Sequence, residues 1–168
     1  GFKHFDYSFY NVLSNKNDPF MGDDWRSVIL AAKEAAEELG ADFVQAHAPA
    51  CRIISDRFDL ELEAAKRSVE ACGMLGIKNM VIHSAFDPSY KYPEDQLAYF
   101  RANEPFFRAL IPSMEKYGVS ILFENTTIKH CPDRAYFPIL GKDLNAFVKF
   151  MDHPLFGAAW DVGHANMD

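Results

Sequence analysis

Residues Val119–Asn125 read VSILFEN, an apolar, β-branched and aromatic run that closes on a carboxylate. Alternation along a strand would put Leu122 and Glu124 on one face and Ile121 and Phe123 on the other. Gly118 just before the run ends whatever helix precedes it. A strand that finishes on an ionisable residue is informative when its neighbours do the same. Four other β-rich runs do: FKHFDYSFY carries Asp6, DFVQAHAP His47, NMVIHSAF His83 and FGAAWDV Asp161. The successive separations along Asp6, His47, His83, Glu124 and Asp161 are 41, 36, 41 and 37 residues, one strand–helix unit each.

Between these runs lie helical patterns. Asp23 or Asp24 can cap a helix in which Trp25, Val28, Ile29, Ala32, Ala36 and Leu39 recur at helical spacing, and Gly40 ends it. A second helix is expected over about Asp59 to Leu75, with Leu62, Ala65, Val69 and Cys72 on one face and Gly76 at its end. The third region opens at Pro93 and Glu94, and Pro105 and Pro112 are expected to split or kink it. DLNAFVKFMD supplies a short helix before the last strand. The acidic run Glu34, Glu37 and Glu38 reads as a solvated face, and Trp160 as core between sheet and helix.

Strand–helix alternation throughout predicts a parallel sheet covered by helices. In such a sheet the strand ends emerge at one carboxyl edge, where ligands bind in open α/β sheets and in (β/α)₈ barrels. Gln45 then lies below His47, Val81 below His83 and Leu122 below Glu124. Burying five ionisable groups at that edge is costly unless they pair or share a metal. No glycine-rich phosphate loop marks a dinucleotide fold. Every strand closes on a polar residue, whereas an open sheet gathers its site at a switch point. Both points favour a TIM barrel. Five strands cannot close one, so the 168 residues read as a single partial TIM-barrel domain.

The totals agree. Apolar residues make up 49% and charged residues 24% of the chain, as in globular proteins, and fifteen Phe with seven Tyr predict an aromatic core. A net charge of −7 gives no basic footprint for nucleic acid. No apolar stretch of about 18 residues predicts a membrane span, and the opening GFKHFDYSFY is not a signal peptide. Cys51, Cys72 and Cys131 are few and far apart, which fits reduced thiols in a cytoplasmic protein. Cys131 itself reads as a chance thiol.

The strand-end motifs HAP at His47, IHS at His83, FENTT at Glu124 and WDVGHA at Asp161 resemble the xylose-isomerase-like TIM barrels, which join sugar and sugar-phosphate isomerases and epimerases with metal-dependent AP endonucleases. The opening GFKHFD resembles the second strand, so the chain would cover strands two to six. The resemblance implies that Glu124 and Asp161 bind one divalent cation and that His164 contacts substrate. A strand-seven His and a strand-eight Glu would complete the set. His47 and His83 match metal ligands of the AP endonucleases, but Ser84 and Ala85 replace the His-Pro-Gly common there. On the epimerase reading, His47, His83 and His164 face the substrate. The resemblance also implies possible homo-oligomers.

A mixed carboxylate and imidazole set suits Mn²⁺ first, and also Mg²⁺, Co²⁺ or Zn²⁺. Such a cation could polarise a ketose carbonyl and stabilise the enediolate formed when the adjacent C–H proton leaves, with Glu124 as an acid–base group. The expected function is therefore a metal-dependent sugar or sugar-phosphate isomerase or epimerase. The alternatives are a phosphodiesterase acting on abasic DNA, a dehydratase or lyase using related chemistry, and a non-catalytic sugar binder. The plainer reading of Asp161 is a helix cap, and Asp6 reads as structural. The loop TTIKHCPDRAYFPILG, carrying His130, Tyr136 and Phe137, is expected to act as a lid.

Overall fold

Helical spacing in the sequence becomes helix in the structure with few surprises. The computed structural model describes residues 1–53, 56–85, 87–127, 138 and 140–167. Helix α1 spans Trp25–Glu38, α2 Phe58–Leu75, α3 Gln96–Arg108, α4 Ile111–Tyr117, α5 Gly141–Met151 and the short α6 Val162–Ala165. Between them run β1 (His4–Ser8), β2 (Asp42–His47), β3 (Asn79–Ile82), β4 (Ser120–Glu124) and β5 (Phe156–Ala159). Gly76 and Gly118 end α2 and α4 at φ of 78° and 63°, the left-handed turn that glycine adopts without strain.

All four strand pairs are parallel, and the sheet order is β1-β2-β3-β4-β5. That order decides the architecture. A doubly wound sheet reverses direction at a switch point; here each strand lies beside the previous one, as barrel strands do. The sheet is five consecutive strand units of a TIM barrel, a partial barrel as the spacing implied.

The outer face of the sheet holds the core. Met80, Ile82, Ile121 and Phe123 are buried to within 1% exposure, and Phe123 meets α3 and α5. Phe123 sits 4.5 Å from Phe147 and 4.8 Å from Phe107, centroid to centroid, and Phe100 lies 4.9 Å from Phe147. Such offset and edge-on ring pairs add to the stabilisation from area burial alone. The inner face carries Asp6, Gln45, Val81, Leu122 and Gly157. A Cβ on Gly157 would come within 2.8 Å of Leu122 Cδ2, so the missing side chain makes room for its neighbour.

Four expectations need correction. Pro105 neither splits nor ends its helix: α3 runs through it. Pro105 and Arg101 are both exposed, so the carbonyl that loses its helical donor is on the solvent side. The break falls instead at Ala109–Leu110, with Pro112 in the first turn of α4. Helix α3 also starts later than Pro93, behind Asp95 as its cap residue. Leu39 and Val28 lie on the expected apolar stripe of α1 but are 82% and 37% exposed; Trp25 and Ile29 carry the burial. Trp160 is 50% exposed rather than core, its ring lying beside Gly141 at the start of α5. The acidic face of α1 is exposed as expected.

Candidate functional site

Four side chains from four successive strand ends meet at the carboxyl edge. His47 is the last residue of β2, His83 follows β3, Glu124 ends β4, and Asp161 stands two residues beyond β5. His164 joins them from α6. The ladder holds the ends in step: His47 pairs with Val81, and Glu124 with Ala159. Backbone bonds extend it, Phe9 N–H donating to the His47 carbonyl and Ala48 N–H to that of Val81, each at 2.8 Å.

Glu124 is the centre. Its Oε2 is 3.0 Å from His83 Nε2 and 3.6 Å from His47 Nε2. The first distance is a hydrogen bond; the second is close attraction without one. Burial alone would push the Glu124 carboxyl up, but the two imidazoles more than offset it and hold the group at about 2. His47 moves the other way. Burial disfavours its charge, yet Glu124, the Ala48 carbonyl and Asp6 together hold it above the ordinary imidazole value.

Two of the three histidines are oriented from behind. His47 Nδ1 donates to the Ala48 carbonyl at 2.9 Å, and His164 Nδ1 to the Asn125 carbonyl at 2.8 Å. A carbonyl oxygen only accepts, so the proton is on Nδ1 and the lone pair is on Nε2, which in His47 faces Glu124. The edge of Tyr10 rests on the His47 ring, centroids 5.3 Å apart. Beyond His83, Tyr99 donates its hydroxyl to the Ala85 carbonyl at 2.7 Å and accepts from the Ser84 hydroxyl at 2.6 Å, while Ala85 N–H donates to Asn103 Oδ1 at 2.7 Å. The Ser84–Ala85 pair is thus a buried anchor to α3.

Asp161 does two things. Its Oδ1 accepts the His164 backbone N–H at 2.8 Å, capping α6, while Oδ2 lies 3.8 Å from His164 Nδ1. The capping role and the site position are both present. Asp6 sits one layer below the others. It is two residues short of the end of β1 and pairs with Gln45, whereas Ser8 pairs with His47. A bulge between Phe5 and Asp6 sets this register, so Asp6 is not a strand-end group. Burial raises its pKa, with Gln45 and His47 opposing and Glu124 reinforcing.

Two sets of ligand atoms each lie within 4.8 Å of one another: His47, His83 and Glu124, and Glu124, Asp161 and His164. Divalent cations take oxygen and nitrogen donors at about 2.0–2.2 Å, so donors around one ion stand up to about 4.4 Å apart. Small side-chain rotations bring either set to that size. The donor chemistry, an ionised carboxylate beside imidazole nitrogens, fits such an ion.

Two residues at the site escaped the sequence reading as actors. Asn125 was legible only as the partner letter in a Glu-Asn pair, and Tyr10 as one aromatic among many. A polar side chain placed directly after a strand-end carboxylate is the signal that would have singled out Asn125. The expected lid residues His130, Tyr136 and Phe137, with Cys131, lie outside the described residues; only the base of that loop is seen, where Thr126 N–H donates to the Pro138 carbonyl at 3.0 Å. Cys51 and Cys72 are free thiols. Among the described residues no helix is long and apolar enough to cross a membrane.

The chain matches the family model for xylose isomerase-like TIM barrels over residues 1–168. No match among curated proteins reaches significance. Solved structures share the fold. A D-tagatose 3-epimerase-like protein superposes with a TM-score of 0.73 at 19% identity, over 99% of this chain and 58% of its own. An AP endonuclease, family 2, from Brucella melitensis gives 0.69 at 16%, over 99% and 60%. A mannonate dehydratase from Streptococcus suis serotype 2 gives 0.66 at 17%, over 100% and 66%. The chain therefore spans a little under three fifths of the length of the first of these, 58%.

Proposed function

Because the chain belongs to the family of xylose isomerase-like TIM barrels, we propose that it forms part of a divalent-metal-dependent isomerase or epimerase of a sugar or sugar phosphate. One observation carries the reading: ligand atoms of Glu124, Asp161 and His164 lie within 4.8 Å of one another at the carboxyl edge, where barrels bind their substrates. Glu124 and Asp161 would hold the cation. When bound, that ion supplies a Lewis acid for the negative charge left when a C–H proton next to a carbonyl departs.

The residues of this chain then divide the work. Glu124 has two oxygens and takes the proton as base. At a pKa of about 2 it is ionised at neutral pH but is a weak base. Its basicity rises when His83 turns its hydrogen bond, and His47 its attraction, from Glu124 to substrate hydroxyls, because those two imidazoles are what depress it. His164, fixed by the Asn125 carbonyl, presents Nε2 inward as a substrate contact.

A second reading has an observation of its own. The set His47, His83 and Glu124 shares its carboxylate with the first, an arrangement able to hold a second ion between two imidazoles. That favours a phosphodiesterase acting on abasic DNA, but the net charge of −7 offers no basic surface for a phosphate backbone. The test is proton–deuterium exchange from D₂O into a panel of ketoses by the Mn²⁺-loaded complete protein. Exchange at the carbon beside the carbonyl supports the isomerase reading. No exchange together with cleavage of an abasic duplex overturns it.

A further inference from the structure

Asn125 is fully buried, 0% exposed, immediately after Glu124 at the tip of β4. We propose that Asn125 is the positioning residue of the metal site, its side chain and its backbone carbonyl together fixing Asp161 and His164 relative to Glu124. This rests on the metal-dependent reading above.

The carboxamide of Asn125 bridges to the neighbouring strand end. Its Oδ1 accepts the Asp161 backbone N–H at 2.6 Å, and its Nδ2 donates to the Asp161 carbonyl at 3.0 Å. A side-chain amide presents one acceptor and one donor in a plane, as a peptide does. It therefore stands in for a strand partner and carries the β4–β5 pairing beyond its last regular pair, Glu124 with Ala159. The backbone carbonyl of Asn125 meanwhile accepts the proton of His164 Nδ1 at 2.8 Å, which fixes the ring and leaves its lone pair on Nε2. Asp161 then fixes His164 once more, through the N–H to Oδ1 bond of 2.8 Å.

These contacts form one closed figure. Glu124 and Asn125 are adjacent in the chain, Asn125 grips the backbone of Asp161 on both sides, and His164 is tied to both Asn125 and Asp161. No other residue type performs the bridging. Asp at this position has no donor for the Asp161 carbonyl and brings a negative charge beside it; Gln is a methylene too long for both bonds at once; Ala leaves the two backbone groups of Asp161 without their buried partners. Groups that orient metal ligands in this way change metal affinity by about 10–100-fold when removed.

The experiment measures Mn²⁺ binding by calorimetry and by Mn²⁺ electron paramagnetic resonance in the complete protein, native and carrying Asn125→Asp or Asn125→Ala, with circular dichroism to establish folding. The expected result is an affinity lower by about 10–100-fold in variants that keep the native spectrum. A folded variant that binds Mn²⁺ within threefold of native overturns the inference and leaves the metal reading standing. A native protein that takes up no Mn²⁺ overturns both. Should the variants not fold, the ¹⁵N shifts of His164 in the native metal-free protein decide: the Nδ1–H tautomer supports the inference, and the Nε2–H tautomer overturns it.

Discussion

His83 Nε2 stands 3.0 Å from Glu124 Oε2, joining the ends of two adjacent strands through one charge-assisted contact. His47 approaches the same oxygen from the other side at 3.6 Å. With 11% of the Glu124 side chain exposed, the carboxylate is buried against two imidazoles, and it holds His47 above its ordinary value. The pair Glu124 and His47 is therefore a proton-sensitive element of the candidate ligand set.

Glu124→Gln tests that coupling. Removing the carboxylate takes away the largest influence that raises the His47 pKa and leaves burial, which lowers it. In metal-free protein the His47 titration followed by NMR should move to lower pH. The stability difference between native and variant has a defined window. Glu124 is held at about 2 against an ordinary 4.5, so its contribution is present above 4.5 and lost as pH falls towards 2. His47 is raised above 6.5, so its contribution is present below 6.5 and lost as pH rises through the folded value. Urea unfolding should show the greatest difference between about pH 4.5 and 6.5 and a smaller one on either side. A His47 titration that stays in place refutes the coupling.

The thiols should be inert in the native state. Burial, and then the charge of Glu61, pushes the Cys51 thiol up to about 12, and burial raises Cys72 as well. Iodoacetamide at pH 7.5 should leave both unmodified until urea unfolds the chain, as read by peptide mass spectrometry. Rapid alkylation of Cys51 in folded protein contradicts its environment.

Much of this arrangement is local and so was legible. The alternation that puts Glu124 above Leu122, and the glycines that end α2 and α4, depend on a few neighbouring residues. So does the 36-to-41-residue spacing of the strand ends. What the sequence hid is set across the sheet. Asp6 falls a layer low because of a bulge against β2, a register that no single strand encodes. Pro105 is tolerated because its helix face meets water, and Trp160 is exposed although strand alternation points it outward towards the helices. Asn125 acts on a residue 36 positions later, and only the folded sheet brings the two together.

Packing between α2 and α4 gives a prediction in which two effects oppose. Gly73 lies inside α2, where Ala is worth about 1 kcal/mol through helix propensity. A Cβ there, however, would stand 2.9 Å from Tyr117 Cβ, an atom that cannot swing aside without moving α4. Overpacking of this kind costs about 1–3 kcal/mol, so Gly73→Ala should lose about 1 kcal/mol net. In a Tyr117→Gly background, which removes that Cβ, the same change should stabilise by about 1 kcal/mol, since only the propensity gain remains. Denaturant unfolding of the four proteins in the cycle checks both signs; equal effects in the two backgrounds rule the clash out.

Asp161 holds two duties that substitution can separate. Its Oδ1 caps α6 through the His164 N–H, and its charge faces Glu124 and His164 in the ligand set. Asparagine caps helices about as well as aspartate, so Asp161→Asn should leave the melting temperature nearly unchanged. It removes an anionic ligand, and Mn²⁺ affinity should fall by at least tenfold. Asp161→Ala removes both the cap and the ligand, which adds a loss of about 1 kcal/mol in stability to the same fall in affinity. Calorimetric titration with Mn²⁺ beside thermal unfolding reads the two quantities independently. If Asp161→Asn binds Mn²⁺ as tightly as the native protein, the carboxylate is a cap alone, and the cation must be held by the set His47, His83 and Glu124.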